Sequence, residues 1–265
     1  MQEMTFWDHL EELRMGIFRC MGVMLVLGIG FFIAMPWLFD AVIMAPTRGD
    51  FPVYRIFGLI ADRFTDGTSF SDEHYQTPII NIKLMSQFLI HIQASFIFAF
   101  IIGFPYILFE IWRFVQPALY DLEKKSFRFA FSFASILFYI GLSIGYFLVF
   151  PITLRFLSDY KISNTIVNQI SLDSYISTFM SLNMIMGIVF ELPMLALALS
   201  KLGLIRRSFF KKWRKHAIVV LLVVAAIITP TGDPFTLSIV ALPLYFLYEI
   251  SGLIVKDDTK EVRAE

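Results

Sequence analysis

The sequence predicts an all-α membrane protein with six transmembrane helices and both termini in the cytoplasm. Hydrophobic residues make up 57% of the chain and charged residues 17%, whereas a soluble domain is about a quarter charged and at most about half hydrophobic. Several apolar stretches approach the roughly 20 residues that a helix needs to cross a bilayer. The 265 residues therefore leave room for six spans joined mostly by short connections.

The chain begins with an acidic segment, residues 1–14, that is expected to form a cytoplasmic amphipathic helix. Phe6, Leu10 and Leu13 recur at spacings of four and three residues, which places them on one helical face. Such a helix lies at the membrane interface. No small-residue cleavage pattern follows it, so the first apolar stretch is expected to remain as a span.

Six apolar stretches are predicted to cross the membrane. The second contains Pro105, which predicts a kink. The only cysteine, Cys20, lies in the first stretch and has no second cysteine for an internal disulfide. The predicted spans are approximately Met15–Met35, Phe88–Trp112, Phe129–Phe150, Tyr175–Leu199, Ala217–Ile228 and Phe235–Ile254.

Helices 5 and 6 are expected to be short, and span 5 is the shorter of the two. Its uninterrupted apolar run, Ala217–Ile228, covers about 18 Å at about 1.5 Å per residue, against a hydrocarbon core of about 30 Å. Either Lys212 and Lys215 extend along a longer helix with their charges in the interface, or the bilayer is locally thinner here. The sequence leaves both interpretations open.

Basic residues fix the predicted orientation through the positive-inside rule. With the N-terminus in the cytoplasm, the cytoplasmic segments hold fifteen Lys and Arg residues and the opposite side six. Residues 36–86 then form a periplasmic cap loop with short helices near Phe39–Met44 and Val53–Arg63, residues 113–128 a cytoplasmic loop, and residues 256–265 a cytoplasmic tail.

Acidic residues distinguish the cytoplasmic surfaces from one another. The segment Lys201–His216 carries seven basic residues and no acid, whereas the N-terminal segment carries four acids before Arg14. The loop 113–128 contains Asp121 and Glu123. A cationic peptide is therefore expected to be repelled by Lys201–His216 and tolerated where the N-terminus meets the loop 113–128. From composition alone, Glu123 is expected to pair with Lys124, Lys125 or Arg128.

Several kinds of chemistry have no motif in this sequence. There is no GxxxxGK[ST], GxGxxG, GxSxG or HExxH pattern, and four scattered His residues with one Cys give no metal-ligand spacing. We expect no enzyme activity, no cofactor, no metal and no nucleic-acid partner.

Glu191 is an acid inside predicted span 4, where a carboxyl group is costly and commonly functional. It shares a helical stripe with Ser177, Ser181, Met184 and Ile188. One interpretation is a protonated acid that is hydrogen-bonded within the bundle. The other is a polar cavity that contacts a partner helix or a peptide.

Four motifs together resemble those of the TatC family, the signal-recognition subunit of the twin-arginine protein translocase. They read FWDHLEELR, FVQPALYDLEKK, GIVFELP and ITPTGDPFT, and they occur in this order between Phe6 and about Glu249. The resemblance therefore covers nearly the whole chain.

The resemblance implies a multi-pass protein of the bacterial cytoplasmic (inner) membrane, with six helices in a curved, concave bundle. It implies binding of the twin-arginine signal peptides of folded precursors, and their export driven by the proton-motive force. The implied partners are TatA-type and TatB-type single-span proteins, further copies of the same chain and membrane lipids. No nucleotide is required, in agreement with the missing P-loop.

The resemblance also implies roles for residues at the two cytoplasmic motifs. Glu123 matches the main arginine-contacting carboxylate, and Phe114 matches a residue needed for recognition. His9, Glu12 and Arg14 match polar positions of the N-terminal motif, with Glu12 as the second carboxylate.

A second implied site lies within the membrane. Glu191 matches the buried acid on the concave face, and Asp233 matches the acid after the span 5 turn. Ser181 and Thr229 complete the expected polar site for a partner helix.

Prolines and departures from the family pattern complete the comparison. Pro46, Pro193 and Pro230 are interpreted as structural bends. Gly16 stands where the N-terminal motif usually has a second basic residue, and Leu237 where a Gln is common after a shorter turn. Docking of the partner helix at span 5 is therefore expected to differ in detail.

Two other functions compete with protein export. In a small proton-coupled secondary transporter, Glu191 is the coupling residue, but such proteins usually show a repeat between halves. The spans and loop charges of this chain show no such repeat. In a membrane scaffold without transport, the acidic N-terminus binds partners.

Overall fold

The computed structural model describes residues 6–61, 77–115, 121–163, 165, 168–201, 204–229 and 233–255, and these are mostly helical. A π-helical turn, Phe39–Ile43, and a 3-10 turn, Ala45–Thr47, follow the first helix, and a π-helical turn, Gly145–Val149, joins the fourth to the fifth. The helices are α1 (Phe6–Leu38), α2 (Pro52–Ala61), α3 (Ser86–Val115), α4 (Asp121–Ile144), α5 (Phe150–Asp159), α6 (Leu172–Val189), α7 (Leu192–Lys201), α8 (Arg207–Ile228) and α9 (Pro234–Ile254).

In the part of the chain that the structure describes, five segments are long and apolar enough to cross a membrane, and each overlaps one of the six predicted spans. The predicted span 5 falls in α8, which reaches back to Arg207. Every 18-residue stretch of α8 includes more than two charged residues, so α8 is too highly charged to be counted with these five segments. The five segments are Leu10–Thr47, Ser86–Phe114, Phe131–Asp159, Leu172–Ser200 and Pro234–Ile254.

The chain divides into two compact units. The first comprises Met1–Trp37 and Phe88–Leu137, and the second comprises Leu38–Gln87 and Phe138–Glu265. The first unit therefore contains almost all of α1 and α3 together with the first part of α4.

Within the first unit, side chains of α1 and α3 meet along the helices. Phe32 stacks on the His91 ring at a centroid distance of 4.1 Å, and His91 Nε2 lies 2.8 Å from the carbonyl oxygen of Phe32. Near the other end of α3, the Trp112 ring lies 5.5 Å from Phe131 of α4. Aromatic contacts thus connect all three helices of this unit.

Within the second unit, α4 and α6 approach closely through glycine. A Cβ atom on Gly141 would lie 2.5 Å from the carbonyl oxygen of Met186, and one on Gly187 would lie 2.8 Å from the Phe138 ring. Helices in membranes pack on small residues in this way, because apolar side chains gain little by leaving lipid.

The predicted cap segment, residues 36–86, contains the two short helices that the sequence predicts, as Phe39–Ile43 and α2. Tyrosine hydroxyls attach it to the rest of the second unit. Tyr146 donates to the Val42 carbonyl at 2.9 Å, and Tyr175 donates to the Ile43 carbonyl. The carbonyl groups of half-buried Val42 and buried Ile43 therefore keep hydrogen-bond partners where the helical backbone ends.

A small parallel sheet departs from the all-α prediction. Strand β1 (Ile79–Ile80) pairs with β2 (Ile170–Ser171), with Ile79 opposite Ile170. Ser86 donates to both carboxylate oxygens of Asp173 at 2.8 and 2.7 Å beside this pair. Strands of two residues are too short to produce a hydrophobic alternation in the sequence.

The helix boundaries differ from the sequence prediction in three places. The predicted interfacial helix and span 1 form one continuous helix, α1, of 33 residues. Most of the predicted loop 113–128 is helical, because α3 ends at Val115 and α4 begins at Asp121. Predicted span 4 is interrupted by a turn before α7, whose second residue, Pro193, has no N–H to continue the hydrogen-bond ladder of α6.

Candidate functional site

The candidate site is a cavity of about 350 Å³ in the first unit, between the N-terminal half of α1 and the last turns of α3. Most of its lining is apolar. The lining residues are Glu12, Leu13, Gly16, Ile17, Arg19, Cys20, Met21, Met24, Ile107, Glu110, Ile111, Arg113 and Phe114.

Helical spacing explains why the polar groups converge on this cavity. Glu12, Gly16 and Arg19 are separated by four and three residues, so they follow one face of α1. Glu110 and Phe114 are four residues apart and follow one face of α3. The sequence thus places two carboxylates on facing helices within one cavity.

Glu110 is buried and fully engaged. Its carboxylate accepts from Arg19 through Nε at 3.0 Å and through Nη2 at 2.9 Å. The Tyr106 hydroxyl donates to the same carboxylate at 2.8 Å. The Glu110 side chain is 5% exposed, so this bidentate pair fixes α1 against α3.

The carboxylate of Glu12 differs from that of Glu110 in its hydrogen bonding. It is half-buried, and its Oε2 atom is shielded from solvent with no hydrogen-bond partner among the described residues. A shielded carboxylate oxygen without a donor is costly unless a cation or an N–H group occupies the space in front of it. Glu12 is therefore the described side chain best placed to receive a cationic ligand in this cavity.

The other residues of the predicted signal-binding site occupy different positions. Phe114 lines the cavity beside Arg113. Arg14 instead pairs with Glu11 at 3.1 Å, with both side chains exposed. His9 lies on α1 and Glu123 is the third residue of α4, but their side chains are outside the described part of the structure.

The predicted intramembrane site lies in the second unit. Glu191 is half-buried in the turn between α6 and α7, and its Oε1 atom is shielded without a hydrogen-bond partner. Asp233 caps α9 by accepting from the Thr236 backbone N–H at 2.7 Å. Thr229 is buried just after α8, and Ser181 is half-buried on α6.

The predicted structural prolines are also in the second unit. Pro46 is buried in the 3-10 turn, and its carbonyl accepts from the Tyr54 hydroxyl at 2.9 Å. Pro193 is buried in the first turn of α7, and Pro230 lies outside the described residues. Leu237 is half-buried in the first turn of α9.

The sequence reasoning missed the Arg19–Glu110–Tyr106 network. Its signal was present, because Arg19 and Glu110 are ionisable residues within two predicted spans that are adjacent in sequence, and such residues usually pair. A similar arrangement recurs in the second unit, where Glu249 accepts from Arg214 at 2.7 Å and from Tyr245 at 2.8 Å.

The groups that line the cavity are suited to binding a ligand. Among the residues that the structure describes, no group of three His, Cys, Asp or Glu side chains could hold a metal ion. The cavity instead offers a carboxylate with a shielded, unpaired oxygen beside apolar side chains. This combination suits a cationic group that is attached to an apolar one.

Comparisons with known proteins agree on one family. Residues 8–243 match the family model described as "Sec-independent protein translocase protein (TatC)". A protein of that name from Blattabacterium sp. subsp. Periplaneta americana (strain BPLAN) is 37% identical over 250 residues, which is 94% of each chain. Another from Helicobacter pylori (strain ATCC 700392 / 26695) is 38% identical over 71% of this chain and 73% of its own.

Solved structures give the same result at the level of the fold. The "Crystal Structure of Twin Arginine Translocase Receptor- TatC" has a TM-score of 0.71 and 30% identity, over 93% of this chain and 97% of that one. The structure of the same receptor in DDM has a TM-score of 0.74 and 30% identity, over 94% and 99% of the two chains.

Proposed function

This chain belongs to the TatC family of Sec-independent protein translocase proteins, and we propose that it binds the twin-arginine signal peptides of folded precursors. It is a multi-pass inner-membrane component of protein transport, in a family that is not enzymatic. In this proposal it supports proton-motive-force-driven export together with TatA-type and TatB-type partners, other copies of itself and the surrounding lipids.

The observation that carries the proposal is the shielded, unpaired oxygen of Glu12 in a cavity with an apolar lining. A guanidinium group can pair with a carboxylate through two parallel hydrogen bonds. An arginine of the signal peptide that enters the cavity supplies the missing donor. Phe114 lies on the facing helix and offers a ring to the same peptide.

Glu123 is proposed as the second carboxylate that reads the arginine pair. The support is its place in the motif FVQPALYDLEKK and its position in the first turn of α4, shortly after the end of α3. His9 and Arg14 are assigned to the same surface on the basis of the N-terminal motif. His9 lies three residues before Glu12, on the same face of α1, and can orient that carboxylate.

Charge alone does not hold the peptide. An exposed ion pair contributes about 0.2–1 kcal/mol, and a hydrogen bond to a charged group about 1.5–3 kcal/mol, so the two carboxylates alone give weak binding. Burial of apolar surface adds roughly 25 cal/mol per Å². Ile17, Ile107 and Ile111 line the cavity and offer such a surface to the apolar part of a signal peptide.

A second surface is proposed for a partner helix. Glu191, Ser181, Thr229 and Asp233 supply polar groups in and beside membrane-spanning segments of the second unit. The Oε1 atom of Glu191 has no hydrogen-bond partner in the described structure, so a partner side chain can supply one. The hypothesis of a small proton-coupled transporter receives no support, because the relatives compared are named as protein translocase proteins.

An export assay tests the proposed function. A strain without its own TatC subunit receives this chain together with matched partner proteins and a folded reporter that carries a twin-arginine signal. We expect the reporter to reach the periplasm, and the Glu12→Ala/Glu123→Ala double variant to retain it in the cytoplasm. Undiminished export by the double variant, at wild-type abundance in the membrane, contradicts the assignment.

A further inference from the structure

The Arg19–Glu110 pair contributes charged groups to the lining of the cavity, and the proposed binding of one guanidinium at Glu12 does not use it. Arg19 lies seven residues after Glu12 on α1, about 10 Å farther along the helix axis at about 1.5 Å per residue. Both side chains line the same cavity. A peptide bound at Glu12 therefore places its neighbouring side chains near the guanidinium of Arg19.

Gly16 separates Glu12 from Arg19 along α1. It lies between them on the same face of α1 and carries no side chain. A Cβ atom at this position would be 3.7 Å from Glu110 Oε2 and 3.9 Å from Arg19 Nη2. The ion pair therefore lies next to the backbone of Gly16.

The two carboxylates of the cavity differ in what they can still accept. The Glu110 carboxylate accepts from Arg19 Nε at 3.0 Å, from Arg19 Nη2 at 2.9 Å and from Tyr106 at 2.8 Å. The Oε2 atom of Glu12 has no donor. An incoming cation can therefore bind at Glu12, whereas the carboxylate of Glu110 already accepts hydrogen bonds from Arg19 and Tyr106.

We propose that Arg19, held on Glu110, is a specificity-determining residue that admits one cation at Glu12 and rejects a second positive charge at the Arg19 end of the cavity. The space between these groups is bounded mainly by apolar side chains such as Ile17, Ile107 and Ile111. It therefore selects a neutral apolar side chain next to the bound arginine. The second arginine of the pair must then be read outside the cavity. This inference rests on the proposed binding of signal peptides.

The test compares two peptides on the purified full-length chain in detergent. The reference peptide carries the twin-arginine pair followed by apolar residues. The probe peptide is identical, except that one lysine replaces the first apolar residue after the pair. The measured quantity is the selectivity, the Kd of the probe peptide divided by that of the reference peptide.

Two single variants should move this selectivity in opposite directions. Arg19→Met removes the repelling charge and keeps the carboxylate, so the selectivity should fall on the order of tenfold. Glu110→Gln keeps the guanidinium without its counter-charge, so the selectivity should rise by a similar factor. The Arg19→Met/Glu110→Gln double variant has the same net charge as the wild type but lacks Arg19, so its selectivity should also fall below that of the wild type. A selectivity equal to that of the wild type in the double variant overturns the inference.

A purely structural role predicts a different pattern, because loosening of α1 against α3 weakens both peptides together in either variant. Selectivity that is unchanged, or that moves in the same direction in both single variants, overturns the inference. If Arg19→Met does not fold, the selectivity of Glu110→Gln alone still tests the inference, because it is expected to rise. If the wild-type chain binds neither peptide, the proposed function fails first, and that outcome is distinct from wild-type binding with unaltered selectivity.

Discussion

At the scale of single residues, the cavity contains one satisfied and one unsatisfied carboxylate. Glu110 receives donors from Arg19 and Tyr106, whereas the Oε2 atom of Glu12 is shielded and receives none. Buried polar atoms in native proteins nearly always have partners, so the unpaired Oε2 atom of Glu12 is a place where a ligand can supply a donor. The difference between these two carboxylates is the basis for placing the ligand at Glu12.

The ion pair itself is expected to stabilise the first unit. Arg19→Met leaves the 5%-exposed Glu110 carboxylate without its charged partner, so the melting temperature of the chain in detergent should fall. The Arg19→Met/Glu110→Met double variant should melt at a higher temperature than Arg19→Met alone, because no unpaired buried charge remains. Thermal unfolding followed by circular dichroism measures both.

A matched control for the ion pair is Arg14→Met. Its partner is Glu11, and the two side chains are 63% and 68% exposed, so the melting temperature should not change. The melting temperatures also test the pairing of Arg19 with Glu110 directly. If the Arg19→Met/Glu110→Met variant loses as many degrees as the two single variants together, the two residues do not interact.

Two of the residues that local motifs singled out line the cavity, and their roles in binding remain predictions. The N-terminal motif pointed to Glu12, and the motif after span 2 pointed to Phe114, and both line the cavity. The pairing of Arg19 with Glu110 depends on the register between two helices that are 91 residues apart in sequence. No local pattern reports that register, so the pair became visible only in the folded chain.

At the scale of secondary-structure elements, close helix packing depends on individual glycines. Gly141 of α4 faces the backbone of α6, with no room for a methyl group. Gly30 of α1 is also helical, but a Cβ atom there would meet no atom within 4 Å. These two glycines therefore form a matched pair for testing the contact between α4 and α6.

The Gly141→Ala variant should lose about 1–3 kcal/mol of stability, because the new methyl group forces α4 and α6 apart. Gly30→Ala should be neutral or slightly stabilising, since alanine favours the helix over glycine. Unfolding in SDS titrations of the purified chain compares the two. Equal stability of both variants would show that the close contact does not exist in the membrane protein.

The tyrosine that joins α6 to the cap segment gives another prediction for an element. Tyr175 is 2% exposed, and its hydroxyl donates to the Ile43 carbonyl at the end of the π-helical turn. Tyr175→Phe removes this donor and leaves a buried carbonyl unsatisfied, so the chain should lose about 1–3 kcal/mol. Tyr160→Phe, at a position that is 61% exposed, should change the stability little.

The same SDS titration measures the two tyrosine variants. A loss of stability in Tyr160→Phe as large as that in Tyr175→Phe would contradict the structural role of the buried hydroxyl. Faster proteolysis within the cap segment of Tyr175→Phe would give independent support for it.

Element-level prediction was accurate for hydrophobic runs and poor at their ends. The apolar runs identified most helices, but the charged segment before Met15 continues the first helix without a break. Pro193 was visible in the sequence, yet the turn before it, which contains Glu191, was assigned to a continuous span. Helix ends depend on caps and tertiary contacts more than on periodicity.

At the scale of the whole molecule, the number of membrane crossings depends on α8. Its basic N-terminal half contains Lys211, Lys212, Arg214 and Lys215, and its C-terminal half is apolar. Five crossings place the two termini on opposite sides of the membrane, and six place them on the same side. The distribution of Lys and Arg favours six, with both termini in the cytoplasm.

Cysteine labelling tests this topology. Cys20→Ser removes the only cysteine of the chain, and one new cysteine is then placed after the last residue, Glu265, or within residues 36–50. In intact spheroplasts, an impermeant thiol reagent should label the variant in residues 36–50 and leave the C-terminal variant unlabelled until the membrane is opened. Labelling of the C-terminal cysteine in intact spheroplasts would indicate five crossings.

Composition was sufficient to predict a multi-pass helical protein, because the energetic demands of a bilayer leave a strong signal in the sequence. It did not predict that the chain divides into two compact units, since each unit contains segments that are distant in sequence. The short sheet between residues near Ile79 and Ile170 is another product of long-range contacts.

The most direct test of the central claim is the affinity of a twin-arginine signal peptide for Glu12→Gln and for its matched control, Glu11→Gln. Glu11 is the neighbouring acid on α1 and is exposed beside Arg14, whereas Glu12 lines the cavity. We predict that Glu12→Gln raises the Kd about tenfold or more, because a charge-assisted hydrogen bond is lost. Glu11→Gln should leave the Kd within about twofold of the wild-type value. An unchanged Kd for a folded Glu12→Gln variant would contradict the assignment of this cavity as the peptide site.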